Sequence, residues 1–263
     1  MITIAAFVML SCSHEVDDKF AKSIELAKIV TKYDSDTNIE EVDTVKFGSY
    51  VQNGNDKEPI EWIVLDKQDN KVFLLSKYIL DCKCYSSEWK NDTWNTCDLR
   101  KWLNNDFFRQ AFSANEQRKI NTTKVINSNL GYGLNGGEST EDKVFCLSIE
   151  EVMKYFGYGV KEVFGYRIGK IIATKGTDYA RTINNNGINL KVYSLSNSPS
   201  YTDPIHWAIG NSSFWLRSPS EDNSFYSINR IAVVSYLGFI DAIIGDNVDV
   251  RSNGVRPAIW VSY

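Results

Sequence analysis

Histidine is nearly absent from this 263-residue chain, which contains only His14 and His206. Histidine is the side chain that most often transfers protons in catalysis. Because His14 lies in the segment predicted to be a tether, a catalytic triad would have to use His206. Ser212, Ser213 and Ser218 follow it, but none lies in a Gly-x-Ser-x-Gly turn, which exposes a nucleophilic serine. The sequence therefore offers few residues for catalysis by a serine nucleophile.

An excess of positive charge is also lacking. Lysine and arginine number 29 against 33 aspartates and glutamates, so the formal net charge is -4. Nucleic acids and anionic lipid surfaces are held by clusters of basic side chains. We therefore expect no nucleic acid partner and no attachment to membranes by charge.

Aromatic residues, by contrast, are abundant. They make up 13% of the chain and include 7 tryptophans and 14 tyrosines. Such residues suit β-sheets and ligand-binding surfaces, where a flat ring supplies much contact area. With 43% hydrophobic residues, the chain is long enough for one well-packed domain of mixed class, or at most two.

Residues 1–12 are predicted to be an export signal. Residues 1–10 are almost entirely apolar, but a bilayer span takes about 20 such residues. Ser11 then precedes Cys12, an arrangement similar to a relaxed bacterial lipobox, whose cysteine is lipidated. This predicts a bacterial cell-envelope protein that touches the membrane only through a lipid anchor. No lysine or arginine precedes Lys19, so the basic start expected of a signal peptide is missing, and the alternative is a buried N-terminal strand with an ordinary core cysteine.

Residues 13–43 are predicted to be a tether followed by an amphipathic helix. Phe20, Ile24, Ala27 and Val30 recur at helical spacing, with charged residues between them. The helix either packs on the domain, which we favour, or forms a stalk.

Residues 44–263 are predicted to form one domain. A strand at 45–51 precedes an antiparallel hairpin that pairs Ile60–Leu65 with Val72–Leu80. Ser113 and Glu116 have the spacing of a helix capping box, and a further helix is expected at Ile149–Phe156. The other predicted strands are Lys143–Ser148, Phe214–Arg217, Ile231–Tyr236, Phe239–Ile244, Val248–Val250 and Val255–Val261. The C-terminal strands should pack on the hairpin and bring the two ends of the domain together.

Four short phrases carry a family resemblance. They are Leu99–Asn104 (LRKWLN), Thr177–Ala180 (TDYA), Trp215–Pro219 (WLRSP) and Gly254–Ala258 (GVRPA). In this order they resemble an uncharacterised bacterial domain-of-unknown-function family. That family in turn resembles the C-type-lectin-like superfamily, which includes formylglycine-generating enzymes. The resemblance implies an α+β, C-type-lectin-like fold with antiparallel sheets, a few flanking helices and long loops.

The chemistry known in that superfamily does not transfer readily to this chain. Formylglycine-generating enzymes act through a cysteine pair in the C-terminal part of the domain, whereas no cysteine follows Cys146 here. Carbohydrate-binding members hold calcium with Glu-Pro-Asn or Gln-Pro-Asp and Trp-Asn-Asp phrases, and this chain has neither. Asp241, Asp246 and Asp249 could supply calcium ligands, although they suit β-turns equally. We therefore predict no cofactor, with calcium as the alternative.

Four cysteines remain besides Cys12, namely Cys82, Cys84, Cys97 and Cys146. They allow three disulfide pairings, and the sequence does not choose among them. Cys82 and Cys84 are too close for an ordinary mutual bridge, so one of them could bond Cys97. A zinc site made by these three is a weak alternative, because the spacing matches few tetrahedral sites.

Two arginines and two tryptophans in the C-terminal phrases are predicted to be structural. Arg217 and Arg256 lie in apolar phrases, where an internal pairing with a carboxylate is more common than a clamp for an anionic ligand. Trp215 and Trp260 are expected in the core.

The predicted function is the binding of a glycan, peptide or other surface ligand without catalysis. Rings stack on sugars or peptide side chains, and polar groups beside them adapt their hydrogen bonds. The candidate ligand-binding residues, from two loops, are Trp89, Asp92, Trp94, Tyr201, His206 and Trp207. The alternative is an envelope enzyme of formylglycine-generating-enzyme-like scaffold, with His206 and either Asp203 or Glu221 as acid and base.

Lipidation at Cys12 is directly testable. Metabolic labelling with a fatty-acid probe should mark the wild-type chain and not the Cys12→Ala variant, because only the cysteine thiol accepts the lipid. Equal labelling of the two chains would contradict the prediction.

Overall fold

Two sheets that are mainly antiparallel form the body of the protein. The computed structural model describes residues 18–30, 37–128, 135–158, 172–182, 190, 209–220 and 230–263. The first sheet has the strand order β1-β2-β3-β13, with β1 at Thr44–Val51, β2 at Lys57–Gln68, β3 at Lys71–Ser76 and β13 at Ala258–Ser262. The second has the order β11-β10-β9-β12-β4, with these strands at Ile240–Asn247, Arg230–Val234, Phe214–Pro219, Gly254–Val255 and Asp81–Cys82.

The first sheet confirms the predicted hairpin of β2 and β3 and its pairing with the C-terminal strand β13. In the hairpin Ile63 pairs with Leu75, and in the outer pair Ala258 faces the same leucine from β13. Strand β2 extends beyond the predicted bounds, whereas β3 ends at Ser76, before the predicted end at Leu80. Residues from all four strands contribute to one continuous hydrophobic core.

Three predicted strands differ from the structure. Val255–Val261 is divided between β12 and β13, because the chain passes from one sheet to the other at Arg256 and Pro257 and proline has no N–H for a ladder. Residues 248–250 form a turn closed by a hydrogen bond from Val250 N to Asn247 O. Residues 143–148 only run beside β13, through a single bridge between Phe145 and Ala258.

Short helices and two small sheets complete the described part. The helices are α1 (residues 18–26), a 3₁₀ turn at Ile39–Glu41, α2 (Asp98–Trp102), a π-helical turn at Leu103–Phe107, α3 (Phe108–Ala111), α4 (Ala114–Lys119), α5 (Ile149–Phe156) and α6 (Asp178–Thr182). The two-stranded sheets pair β5 (Thr123–Val125) with β6 (Thr140–Asp142) and β7 (Thr174–Lys175) with β8 (Asn211–Ser212). The capping box of Ser113 and Glu116 is confirmed, and α5 has another, formed by Ser148 and Glu151.

Helix α1 packs on the first sheet. Phe20 and Ile24 are buried on one face of α1, as their spacing predicts. Ala27 and Val30 are buried too, although the helix ends at residue 26, before both of them. The Phe20 ring lies 4.9 Å from the Phe47 ring, and Val30 N donates to Val64 O at 2.8 Å. The folded unit therefore includes residues that precede the predicted domain start at residue 44.

Arg256 lies where two chain segments pass between the sheets. One segment connects β12 to β13, and the other leaves β3 at Ser76 and enters β4 at Asp81. The buried guanidinium donates to Ser76 O at 2.8 Å, Ile172 O at 2.7 Å and Lys77 O at 3.2 Å. Burial lowers the pKa of Arg256 to about 9. The expected carboxylate partner is thus wrong for this arginine within the described ranges, because carbonyl oxygens of the strand exit take that place.

Arg217 has the acidic partner that was expected. Its Nη2 donates to Glu151 Oε1 at 3.1 Å and its Nη1 to Glu151 Oε2 at 2.5 Å, which is a two-pronged contact. The same guanidinium donates to Cys146 O at 2.8 Å. Since Glu151 also completes the capping box of α5, the pair ties strand β9 to the start of that helix.

Removal of the Arg256 guanidinium should weaken the whole domain. Arg256→Ala removes a donor from three buried carbonyl oxygens, although Lys77 O keeps its bond from the Thr174 hydroxyl. We therefore expect the free energy of unfolding to fall by about 3 kcal/mol. Arg256→Lys should recover only part of this loss, because one ammonium does not span all three carbonyls. Urea titration followed by tryptophan fluorescence measures the effect.

The matched control is Arg109→Ala, at an exposed position of α3. It should change the free energy of unfolding by no more than about 0.5 kcal/mol. An Arg256→Ala protein with the wild-type urea midpoint would contradict the structural role.

Candidate functional site

Trp89 is the exposed tryptophan of a loop between β4 and α2. We call residues 85–97 the Trp89 loop. The Trp89 side chain is 60% exposed, whereas Tyr85 at the start of the loop is fully buried. Tyr85 donates its hydroxyl to Arg217 O at 3.1 Å, and the next residue, Ser86, donates its N–H to Val248 O at 2.9 Å. The loop therefore begins on a fixed base and carries an open aromatic ring.

Asp92 holds this loop together from the inside. Its buried carboxylate accepts hydrogen bonds from the hydroxyls of Ser86 and Thr96, and Lys90 Nζ lies 3.7 Å from the same carboxylate. The prediction of Asp92 as a ligand contact is therefore wrong. Its partners come from its own loop, and they leave the side chain only 2% exposed.

Trp94 is likewise turned into the core. Its ring is fully buried and its Nε1 donates to Asp142 Oδ2 at 2.9 Å. Arg100, from the LRKWLN phrase, donates to the other oxygen of Asp142 at 2.6 Å, and Thr140 adds a bond of 2.6 Å. A buried indole needs a partner for its N–H, and Asp142 is that partner. Trp94 is thus a structural residue and not a ligand platform.

The other predicted ligand-binding residues, Tyr201, His206 and Trp207, lie outside the described residues. The same holds for Asp203 and Glu221 of the enzyme alternative and for Cys12. Of the predicted ligand-binding set, the structure therefore describes the Trp89 loop alone.

The two tryptophans of the C-terminal phrases differ in depth. Trp215 is fully buried and donates Nε1 to Lys83 O at 2.8 Å, close to the start of the Trp89 loop. Trp260 is partly buried and stacks on Phe73 with ring centres 4.9 Å apart. Both rings thus pack against other parts of the fold.

The four described cysteines form no disulfide with one another. Cys82, Cys97 and Cys146 are buried, and Cys84 is half-buried. Burial is the main cause that raises the pKa of Cys82 and of Cys97 to about 12. A structural role follows, because a buried thiol with a raised pKa is a poor nucleophile.

The carboxylates weighed as calcium ligands are used in turns. Asp241 Oδ1 accepts from the N–H groups of Ile244 and Gly245, and Asp246 accepts from Asn253. Within the described ranges, no group of side chains could hold a metal ion. This applies to the three aspartates weighed for calcium and to the three cysteines weighed for zinc.

A polar pocket of about 390 Å³ lies elsewhere, beside the turn end of the β1–β2 hairpin. The residues that line it are Glu40, Gln52, Asn53, Glu58, Pro59, Glu61, Tyr78, Lys175, Gly176, Thr177, Asp178 and Arg181. Lys77 pairs with Glu40 at 3.6 Å and with Glu61 at 3.7 Å. The sequence analysis did not find this site, because its walls come from distant segments that have no catalytic or metal-binding spacing. Only the TDYA phrase, which supplies Thr177 and Asp178, was an available signal.

Tyr78 marks the acidic side of the polar pocket. Its hydroxyl donates to Glu40 Oε2 at 2.7 Å, and burial, followed by this hydrogen bond, raises the pKa of Tyr78 above its ordinary value. The phenol therefore stays protonated at neutral pH and acts as a donor to the carboxylate.

The fold and these contacts define an α+β domain whose family phrases lie at junctions between its parts. A family model described as "Domain of unknown function (DUF6273)" matches residues 69–263, and the chain belongs to that family. No curated protein and no solved structure matches the chain.

The thiols give a check on the packing around this loop. In a Cys12→Ser protein, Ellman's reagent should react with Cys84 in the folded state and with Cys82, Cys97 and Cys146 only after unfolding, because burial restricts access and disfavours the thiolate. Cys84→Ser should abolish the early reaction. Fewer than four reactive thiols in denaturant without reductant would reveal a disulfide, and equally fast reaction of all four in the folded protein would contradict their burial.

Proposed function

We propose that this protein is a binding module that recognises a glycan, peptide or other surface ligand through the Trp89 loop, without turnover. The observation that carries it is the 60% exposure of Trp89 on a loop whose other described large aromatic residues are buried. Exposed tryptophan is costly to solvate and is enriched where ligands are bound. A sugar ring or an apolar peptide side chain would cover its face.

The loop supports this role because it is ordered before any ligand arrives. Ser86 and Thr96 both donate to Asp92, and Tyr85 is held by its bond to Arg217 O. A preorganised loop loses little conformational entropy on binding, so more of the contact energy is retained as affinity. No cofactor is required for this mode of recognition.

The proposal extends to the fold and to the location. We infer a C-type-lectin-like domain, supported by the pairing of the C-terminal strand with the N-terminal hairpin and by the long connections around them. We also propose a bacterial envelope lipoprotein held by a lipid on Cys12, supported by the Ser11–Cys12 pattern. Across the described residues, every helix is too short or too polar to cross a bilayer.

Binding should depend on the Trp89 ring. Arrays of glycans and peptidoglycan fragments, probed with the whole chain carrying Cys12→Ser, should show hits that weaken by about 2 kcal/mol in Trp89→Ala, because truncation of a central aromatic contact commonly costs this much. Asp92→Ala should weaken the same hits by loosening the loop.

Leu26→Ala is the control, since Leu26 is also an exposed apolar residue, 74% exposed on α1. It should leave array binding unchanged. Hits that survive Trp89→Ala at full strength, or turnover of a bound ligand, would overturn the proposal.

A further inference from the structure

Gln52 presents an unused acceptor in the polar pocket. The residue is only 6% exposed, and its Nε2 donates to Glu58 O and to Pro59 O, each at 3.1 Å. These two carbonyls fix the orientation of the amide, because only its nitrogen can donate to them. The Oε1 atom accepts no hydrogen bond from the described residues, in a side chain that lines the pocket. This oxygen is not one of the fully buried atoms without a partner, so it is open to solvent and available to a donor on a bound molecule.

Glu58 adds an unneutralised carboxylate at the same place. It accepts from Asn53 Nδ2 at 2.8 Å, and no lysine or arginine of the described ranges lies within ion-pair distance. The other two glutamates of the pocket differ, because Glu40 and Glu61 both pair with Lys77. Gln52 and Glu58 also share a contact, through the Glu58 carbonyl. The free acceptor and the free negative charge therefore come from neighbouring parts of one hairpin end.

The cations of the pocket are already engaged. Lys175 Nζ lies 3.8 Å from Glu40, and Arg181 Nη1 lies 3.9 Å from Asp178. Four carboxylates line the pocket, and Lys77 adds a third cation through its pairs with Glu40 and Glu61, which leaves an excess of one negative charge. The charge balance thus favours a positively charged guest over an anion.

We propose that the polar pocket binds the protonated primary amine of a small polar molecule, with Glu58 as the charge partner and Gln52 Oε1 as a hydrogen-bond acceptor. An ammonium group has three donors and no acceptor, which complements these two oxygens. The volume of about 390 Å³ falls in the range of small-molecule sites, about 300–1,000 Å³. This site is independent of the Trp89 loop, which contributes none of its lining residues.

Two matched pairs of probes test the amine and separate its sources. Isothermal titration of the whole chain, carrying Cys12→Ser, would compare glucosamine with N-acetylglucosamine, and L-alaninamide with N-acetyl-L-alaninamide. Acetylation removes the charge and donors of each amine, so at least one free amine should bind and its acetylated partner should bind at least about tenfold more weakly. Preference for glucosamine would identify an amino sugar, and preference for L-alaninamide would identify the amine of an amino acid or short peptide.

Variants locate the binding. Glu58→Gln should weaken it at least about tenfold, because a charge-assisted hydrogen bond becomes a neutral one. Gln52→Leu should weaken it as well, in a protein whose thermal unfolding confirms folding. Glu25→Gln, on the exposed face of α1, is the matched carboxylate control and should bind as the wild type does.

Three outcomes would overturn the proposal. These are no binding of either amine at millimolar concentration, equal binding of amine and acetylated probe, and unchanged affinity in Glu58→Gln. Trp89→Ala should leave amine binding intact, so loss in that variant alone would assign the probe to the Trp89 loop instead. Failure of the array experiment, conversely, has no bearing on the pocket.

Discussion

The burial of the Arg256 guanidinium is the constraint on which the rest of the structure depends. A strand that leaves a sheet exposes carbonyl oxygens that no neighbouring strand can satisfy. Here Ser76 and Lys77 lie at such an exit, and Arg256 donates to both. The cost of removing a charge from water is offset because the same group joins two crossing segments and the carbonyl of Ile172. The polar pocket depends on the same contact through Lys77. The Lys77 carbonyl accepts from Arg256 and from the Thr174 hydroxyl, and the Lys77 side chain pairs with Glu40 and Glu61 of the pocket.

Local features were readable from the sequence, and distant ones were not. The hairpin of β2 and β3 and the Ser113 capping box depend on residues a few positions apart, so spacing alone identified them. Trp94 and Asp92 were misassigned because a polar loop with tryptophans resembles a binding surface until the partner appears. For Trp94 that partner is Asp142, 48 residues away in the chain. The bond that holds Trp94 in the core therefore cannot be read from the residues around it. Asp92 has its partners, Ser86 and Thr96, close to it in sequence, but their spacing is not a known signature of a buried aspartate.

The two arginines show how far a residue type can predict a partner. Arg217 donates to Glu151, whereas Arg256 donates to carbonyl oxygens alone in the described part of the chain and lies 5.2 Å from the centre of the Phe214 ring. Both are desolvated donors, and a carboxylate is merely the commonest way to satisfy them. The polar pocket escaped prediction for a related reason, because Gln52 and Asp178 come together only once β1 and α6 have packed. Tyr179 N donates to Gln52 O at 2.7 Å across that junction.

The pairing of β13 with β3 has a consequence for how the chain acquires its structure. Ala258 faces Leu75, so the last strand of the first sheet is made long after its neighbour during synthesis. Until β13 docks, β3 keeps an open edge of unpaired N–H and C=O groups, which is a template for misassociation. High contact order of this kind slows folding. We therefore expect the chain to reach its stable state in a late step, in which β12 and β13 join their two sheets and Arg256 between them becomes buried.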